Sequence, residues 1–184
     1  MVSQFVSHDK VRLLGELDFQ FPTCTHALGR LDKDSEGLLL LTTDKRATRL
    51  LYLEGPPHLR TYLVMVQNEL SSKTIDLLKT GIVIKIKNSE NYLARPAEII
   101  RIEDATSYYA YATDNREAYP HTWLLMSLSE GKFRQVRKMM LAARHRCLRL
   151  IRLSVAGVTL NLLKPGEVKE INEKNFYQLL GIHF

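Results

Sequence analysis

The sequence has few cysteines and no long apolar run, and these absences exclude several classes of protein. Cys24 and Cys147 are the only cysteines in 184 residues, and their spacing is not that of a metal site or of a disulfide scaffold. No apolar stretch approaches the roughly 20 residues that span a bilayer. The N-terminal MVSQFVSHDK lacks the apolar core of a secretory signal. We therefore expect reduced thiols, no membrane partner and a cytoplasmic protein.

Motifs for phosphate-bearing cofactors and for serine nucleophiles are also missing. The chain contains neither GxxxxGK[ST] nor GxGxxG, and no serine has the sequence context of a nucleophile elbow. The six histidines do not cluster, and no Cys/His spacing suggests zinc. We expect no metal and no small-molecule cofactor.

Acidic residues are absent from one segment that is strongly basic. Residues 131–152, here called the basic segment, hold eight of the 26 Lys and Arg, which leaves 18 against 20 Asp and Glu elsewhere. A solvated helix face with scattered arginines is one explanation. A polyanion partner is favoured because acids are absent rather than interspersed, and neutralised phosphates release counterions. The basic residues are Lys132, Arg134, Arg137, Lys138, Arg144, Arg146, Arg149 and Arg152.

The pattern of apolar and turn residues predicts many strands and few helices. This is typical of an α+β protein with a mixed, largely antiparallel sheet and packed helices, and we expect 1–184 to form one domain, possibly in two lobes. Strands are predicted near 38–42, 60–66, 82–86, 97–103, 107–112, 122–128, 148–155 and 158–163. Helices are predicted near 45–53, from Ser71 or Ser72 to Gly81, near 134–145 and near 173–180.

Three acids crowd the stretch GRLDKDSEGLLLLTTD, residues 29–44. Asp32, Asp34 and Glu36 precede an apolar run, and neighbouring like charges are unfavourable unless they are neutralised or used in chemistry. Asp34 is most simply a turn former. Asp32 taken alone is more often structural than catalytic, although two carboxylates could also serve glycoside hydrolysis.

Two further residues have both a structural and a functional interpretation. In RTYLVMV, strand alternation places Tyr62 on one face, where it is either a core residue or a ring that stacks on a nucleobase. Arg137 adjoins Val136 and Met140 and needs an acidic partner, since an unpaired charge near a core is costly. We expect Asp32 and Arg137 to form an ion pair in a cleft.

Three motifs in this order resemble the RsuA family of pseudouridine synthases, and within it the RluE-like branch that acts on ribosomal large-subunit RNA. GRLDKDSEGLLLLT (29–42) resembles the catalytic-aspartate motif, and RTYLVMV (60–66) the family's K-x-Y-x-V strand. EGKFRQVRKM (130–139) is similar to its G-R-x-R-Q-V-R-R-M segment, and 148–171 to its closing strands. The resemblance implies the catalytic-domain fold of these enzymes, without a cofactor.

The resemblance also implies roles for single residues. Asp32 matches the catalytic aspartate that attacks the target uridine at C6 or C1′, Tyr62 the tyrosine that stacks on the uracil, and Arg137 the arginine paired with the aspartate. The resemblance implies ribosomal RNA, with 23S RNA expected, as the partner, and the target base must be flipped. RNA contacts are expected from Arg30, Arg60, Lys132, Arg134 and Lys138.

The sequence departs from the family pattern in a few places. The Lys-Pro motif usual upstream of VSQF is absent from the sequence, so we expect either a truncated chain or a start at an internal Met. We also expect no separate N-terminal RNA-binding domain. Arg60 stands where lysine is usual, and ARHRC (143–147) replaces a Gly-x-Pro loop. A non-catalytic RNA-binding module and a glycosidase stay open as alternatives. We expect a monomer.

Overall fold

The computed structural model describes residues 1–54 and 57–182. The strands are β1 (His26–Leu28), β2 (Glu36–Gly37), β3 (Leu40–Thr42), β4 (Arg60–Gln67), β5 (Ile82–Lys85), β6 (Asn91–Ala94), β7 (Glu98–Ile102), β8 (His121–Leu128), β9 (Cys147–Val155) and β10 (Val158–Thr159). The α-helices are α1 (Ala47–Arg49), α2 (Ser72–Thr80), α3 (Gln135–Ala142) and α4 (Glu173–Leu179). A π-helical turn (Leu50–Glu54) continues α1, and short 3-10 turns cover Leu14–Glu16, Lys87–Ser89 and Asn115–Ala118.

A central sheet in the order β10-β9-β4-β8-β7 organises the chain, and every neighbouring pair in it is antiparallel. The short strand β2 adds to β9 in parallel, while β1–β3 and β5–β6 form separate antiparallel pairs. The predicted α+β class with a mixed, largely antiparallel sheet is confirmed.

The alternation of side chains along β4 divides the core into two clusters. Leu63 and Met65 contribute to one cluster, which also contains Tyr177 of α4. Val64 and Val66 contribute to the other, together with Met139 and Met140 of α3. Tyr62 packs at the edge of this second cluster, so the predicted alternation in RTYLVMV is confirmed.

The helix α2 begins and ends where the sequence chemistry places it, whereas α1 extends only over Ala47–Arg49 before its π-helical turn and α3 ends at Ala142. The Ser71 side chain accepts a hydrogen bond from the Thr74 N–H at 3.2 Å, and Gly81, with φ +110°, ends α2. In α3, Val136 and Met139 are buried, as their spacing predicts. Within the described ranges, no helix is both long enough and apolar enough to cross a membrane.

The predicted strand at 107–112 is wrong, and strands β1, β2 and β6 were not predicted. Asp104 accepts hydrogen bonds from the Thr106 N–H and hydroxyl at 2.8 and 2.6 Å, and this local turn chemistry replaces a strand ladder. The predicted strand 158–163 is reduced to β10, because the Leu163 N–H bonds back to the Leu160 carbonyl in a turn.

Candidate active site

The acidic stretch runs alongside the middle of β9, in parallel with it, and a glycine makes this contact possible. Residues 29–38 are here called the acid segment. Gly37 has φ +97°, and a Cβ at this position would lie 2.4 Å from the Arg152 carbonyl oxygen. The Leu38 N–H donates to that same carbonyl at 2.8 Å. A residue with a side chain would be strained here and would collide with β9, so Gly37 fixes where the acids lie.

Asp34 connects the acid segment to the basic segment. Its two carboxylate oxygens each accept a hydrogen bond from the Arg134 guanidinium at 2.7 Å. Arg137 Nε lies 3.4 Å from Asp34 Oδ2, an ion-pair distance without hydrogen-bond geometry, and Arg137 Nη2 donates to the Asp34 carbonyl. The Arg134 hydrogen bond lowers the pKa of the Asp34 carboxyl, desolvation opposes this, and the charge of Arg137 lowers it further.

The predicted ion pair between Asp32 and Arg137 is wrong. Asp32 makes its one ionic contact within the described residues with Arg134, at 3.8 Å, and its side chain is 29% exposed. Arg137 is instead held by backbone carbonyls, donating to Cys147 at 3.2 Å and to Asp34. Because that guanidinium is fixed beside Asp34, the cation nearest to Asp32 is Arg134.

The acids of this stretch are therefore mostly neutralised by arginines of the basic segment. Glu36 is bonded by Arg149 at 2.6 and 2.9 Å, just as Asp34 is bonded by Arg134. Three of the eight basic residues thus serve as internal partners of Asp34 and Glu36. The acid segment is explained first as an anchor for the basic segment, and Asp32 is its most weakly paired member.

A cleft of about 720 Å³ opens beside Asp32. Its walls include most of the residues that the sequence selected, namely Arg30, Asp32, Arg60, Tyr62, Lys132 and Arg134. Arg137 and Lys138 are not among its lining residues, and the Lys138 ammonium donates to the Lys85 carbonyl at 2.7 Å. Among the residues described, no group of His, Cys, Asp and Glu is arranged to hold a metal ion.

The loop that carries Lys132 and Arg134 is held by a hydrogen-bond network. Glu130 accepts from the Tyr92 hydroxyl and, at 2.6 Å, from the Gln135 amide, whose oxygen accepts from the Lys132 N–H at 2.9 Å. Arg134 itself has φ +53°, which is uncommon for a residue with a side chain. These contacts and the two bonds to Asp34 hold the loop over the cleft.

Sequence reasoning missed two buried polar residues of the cleft. Arg152 is 4% exposed and His58 is 7% exposed, and both line the cleft. Burial lowers the pKa of His58, and the neighbouring charge of Arg60 lowers it further. Arg152 carried a signal, because it stands between Ile151 and Leu153 in the strand sequence CLRLIRLSV. His58 had no such signal.

Comparisons with known proteins point in one direction. Residues 14–142 match the family model described as RNA pseudouridylate synthase. Ribosomal large subunit pseudouridine synthase E of Vibrio vulnificus is 35% identical over 172 residues, covering 93% of this chain and 70% of that protein. The protein of the same name from Xanthomonas campestris is 32% identical, covering 82% of this chain and 79% of its own length. A crystal structure of a pseudouridylate synthase superposes with a TM-score of 0.73 at 23% identity, over 97% of this chain and 68% of the other.

Proposed function

This chain belongs to the RNA pseudouridylate synthase family, as a member of its RsuA-type branch, and we propose that it converts one specific uridine of large-subunit ribosomal RNA to pseudouridine. Family membership makes it an isomerase that acts on RNA. The choice of ribosomal RNA is supported by the names of its relatives. The observation that carries the proposal for the site is a weakly paired carboxylate, Asp32, in a basic cleft.

Asp32 acts as the nucleophile. Its carboxylate forms a bond to C6 of the uracil or to C1′ of the ribose, and the bond between N1 and C1′ breaks. The detached base turns, C5 bonds to C1′, and the proton on C5 leaves as the Asp32 carboxylate is released. Splitting the rearrangement in this way replaces one difficult step by easier ones.

Tyr62 and Arg134, which both line the cleft, assist this step. The Tyr62 ring offers a stacking surface for the uracil and its hydroxyl a route for the C5 proton. Arg134, 3.8 Å from Asp32, favours the charged carboxylate. Arg137 then acts on catalysis through Asp34, as a positioning residue.

The cleft size and charge suit a flipped nucleotide. A volume of about 720 Å³ lies in the range of ligand pockets, which is roughly 300–1,000 Å³. The target base leaves its stack to reach Asp32, and Arg30, Arg60, Lys132, Arg134 and Lys138 contact the RNA backbone. We also propose that the protein works as a cytoplasmic monomer and as one domain.

The two alternatives have less support. A non-catalytic RNA-binding module does not explain why this chain belongs to a family of isomerases. A glycosidase needs a second carboxylate facing Asp32, and in the described part of the cleft the other lining carboxylate is Glu130, which is occupied by Tyr92 and Gln135.

Tritium release tests the proposed function. Ribosomal RNA carrying 5-tritiated uridine is incubated with the purified chain, the released tritium is counted, and the modified position is mapped by sequencing. We expect release to stop at one equivalent per RNA, with pseudouridine at a single position of large-subunit RNA. No release from either subunit's RNA would refute the proposal, and a single site in small-subunit RNA would refute its substrate.

A further inference from the structure

Arg152 is a buried cation whose hydrogen bonds are only partly made. It lies in β9 directly opposite Tyr62 of β4, and its side chain is almost fully covered. Nε donates to the Leu38 carbonyl at 2.8 Å, but Nη2 is buried and has no hydrogen-bond partner among the described residues. Desolvation lowers the pKa of Arg152, and the neighbouring Tyr62 and Tyr52 hydroxyls partly oppose this. Burying a charged group without a counter-ion is unfavourable, so the unpaired nitrogen of Arg152 requires an explanation.

A neighbouring arginine of the same strand shows how a purely structural arginine is satisfied. Arg149 makes two hydrogen bonds to Glu36 and further bonds to the carbonyls of Thr113 and Tyr111, at 2.8 and 2.9 Å. No described acidic side chain forms an ion pair with Arg152, whereas Glu36 forms one with Arg149. The two residues are therefore a natural pair for comparison.

Two more unpaired nitrogen atoms lie in the same part of the cleft. His58 Nε2 and Arg60 Nη1 are buried without hydrogen-bond partners, and both residues line the cleft with Arg152. The Arg60 guanidinium lies over the Tyr52 ring, 5.2 Å from its centroid. The positive charge of Arg60 lowers the pKa of both His58 and Arg152, and all three residues line the one cleft.

The charges around the cleft favour an anion at this point. The lining residues include five Lys or Arg but only two acids, Asp32 and Glu130. Glu130 is occupied by Tyr92 and Gln135, and the ionic contact of Asp32 is with Arg134. The part of the chain that the structure describes thus leaves the His58, Arg60 and Arg152 group without an anionic partner.

We propose that Arg152, Arg60 and His58 form a binding site for one phosphate of the RNA backbone, next to the target uridine. The inference rests on the proposed function, because the uridine defines which phosphate is bound. Phosphate suits the site, since guanidinium groups bind phosphate oxygens through charge-assisted hydrogen bonds. Directly opposite residues of neighbouring strands are about 5 Å apart. A nucleotide whose base stacks on Tyr62 therefore has its own backbone within reach of Arg152.

Methylphosphonate scanning tests the site. Each RNA linkage near the target uridine is replaced in turn by an uncharged methylphosphonate, and affinity is measured for the wild type, Arg152→Met and Arg149→Met. In the wild type, we expect the replacement at one linkage to lower the affinity for RNA at least about tenfold, which is the effect of losing a charge-assisted hydrogen bond. Arg152→Met should bind the unmodified RNA more weakly than the wild type does. Replacing that same linkage by a methylphosphonate should not lower its affinity further. Arg149→Met should keep the full sensitivity.

The same sensitivity in Arg152→Met as in the wild type, or no sensitive linkage at all, overturns the proposal. If Arg152→Met does not fold, Arg60→Met and His58→Phe carry the same measurement, with the same expected loss of sensitivity. Millimolar inorganic phosphate should weaken RNA binding by the wild type more than chloride does at equal ionic strength, and should not do so for Arg152→Met. Inorganic phosphate that binds through Arg152 without weakening RNA binding would assign the site to free phosphate and overturn the RNA assignment.

Turnover of the unmodified RNA is measured in the same mixtures. In one outcome, the wild type forms pseudouridine while no linkage shows a sensitivity to replacement that depends on Arg152. That result refutes the phosphate site and leaves the proposed function intact. Conversely, a linkage that depends on Arg152 in RNA that is bound but not isomerised refutes the function and shows a phosphate contact that the uridine does not define.

Discussion

Replacing Asp34 by Asn separates the structural acid from the catalytic one. The amide keeps the size of the side chain but loses its charge, and it turns one acceptor into a donor that faces Arg134 or Arg137. We expect Asp34→Asn to fold but to be less stable than the wild type.

The magnitude follows from three contacts of different exposure. The bidentate pair with Arg134 is largely exposed, with side chains 35% and 48% accessible, and exposed pairs contribute about 0–1 kcal/mol. Arg137 is only 11% accessible, so the loss of its ion pair costs more, although the exposure of Asp34 screens part of it. We expect a total of about 1–2 kcal/mol. For a chain of this size that lowers the melting temperature by roughly 2–8 °C.

Urea unfolding at pH 7 measures this difference. Asp76→Asn is the control, because Asp76 pairs with Lys79 at 3.9 Å with both side chains exposed, and its midpoint should stay close to that of the wild type. The pKa of Asp34 is lowered in the folded chain, so its stabilisation is present above its unfolded pKa of about 3.9 and is lost as the pH falls through the folded pKa. Equal midpoints for Asp34→Asn and Asp76→Asn at pH 7 would refute the anchoring role of Asp34.

Three other predictions concern the contact with β9, the two arginines and the cysteines. Gly37→Ala should destabilise the chain by about 1–3 kcal/mol in urea unfolding, because its Cβ would meet the β9 backbone, and an unchanged midpoint would contradict this close approach. Arg134→Met should reduce the log–log salt dependence of RNA binding by about one unit, whereas Arg137→Met, outside the cleft, should lower stability and leave the slope unchanged; equal slopes would contradict this division. Burial raises the pKa of Cys147 to about 11, so a thiol reagent at pH 8 should label exposed Cys24 alone in the native chain, and two labelled thiols would contradict the buried position of Cys147.

Local sequence patterns predicted most of the fold because they act over short distances. The alternation of β4, the Ser71 cap of α2 and the apolar face of α3 each follow from neighbouring residues. The strand predicted at 107–112 failed because Asp104 forms a local turn with Thr106, a preference that β-rich composition does not reveal.

The pairing of charges in the site could not be predicted in the same way. Sequence and resemblance selected the acid segment and the basic segment, but not which carboxylate meets which arginine. That depends on the close approach at Gly37, which sets the position of Asp34 and Asp32 relative to α3. The buried state of Arg152 likewise depends on strands β4 and β9 lying side by side.

Single-turnover tritium release by Asp32→Asn tests the central claim most directly. Asn keeps the shape of the side chain, and Asp32 makes only a 3.8 Å contact with Arg134 among the described ion pairs, so the variant should fold and bind RNA much as the wild type does. We expect it to release no tritium above background from 5-tritiated uridine in large-subunit RNA, while the wild type releases its full equivalent. Appreciable release by the purified, folded variant would contradict the account and remove Asp32 from the mechanism.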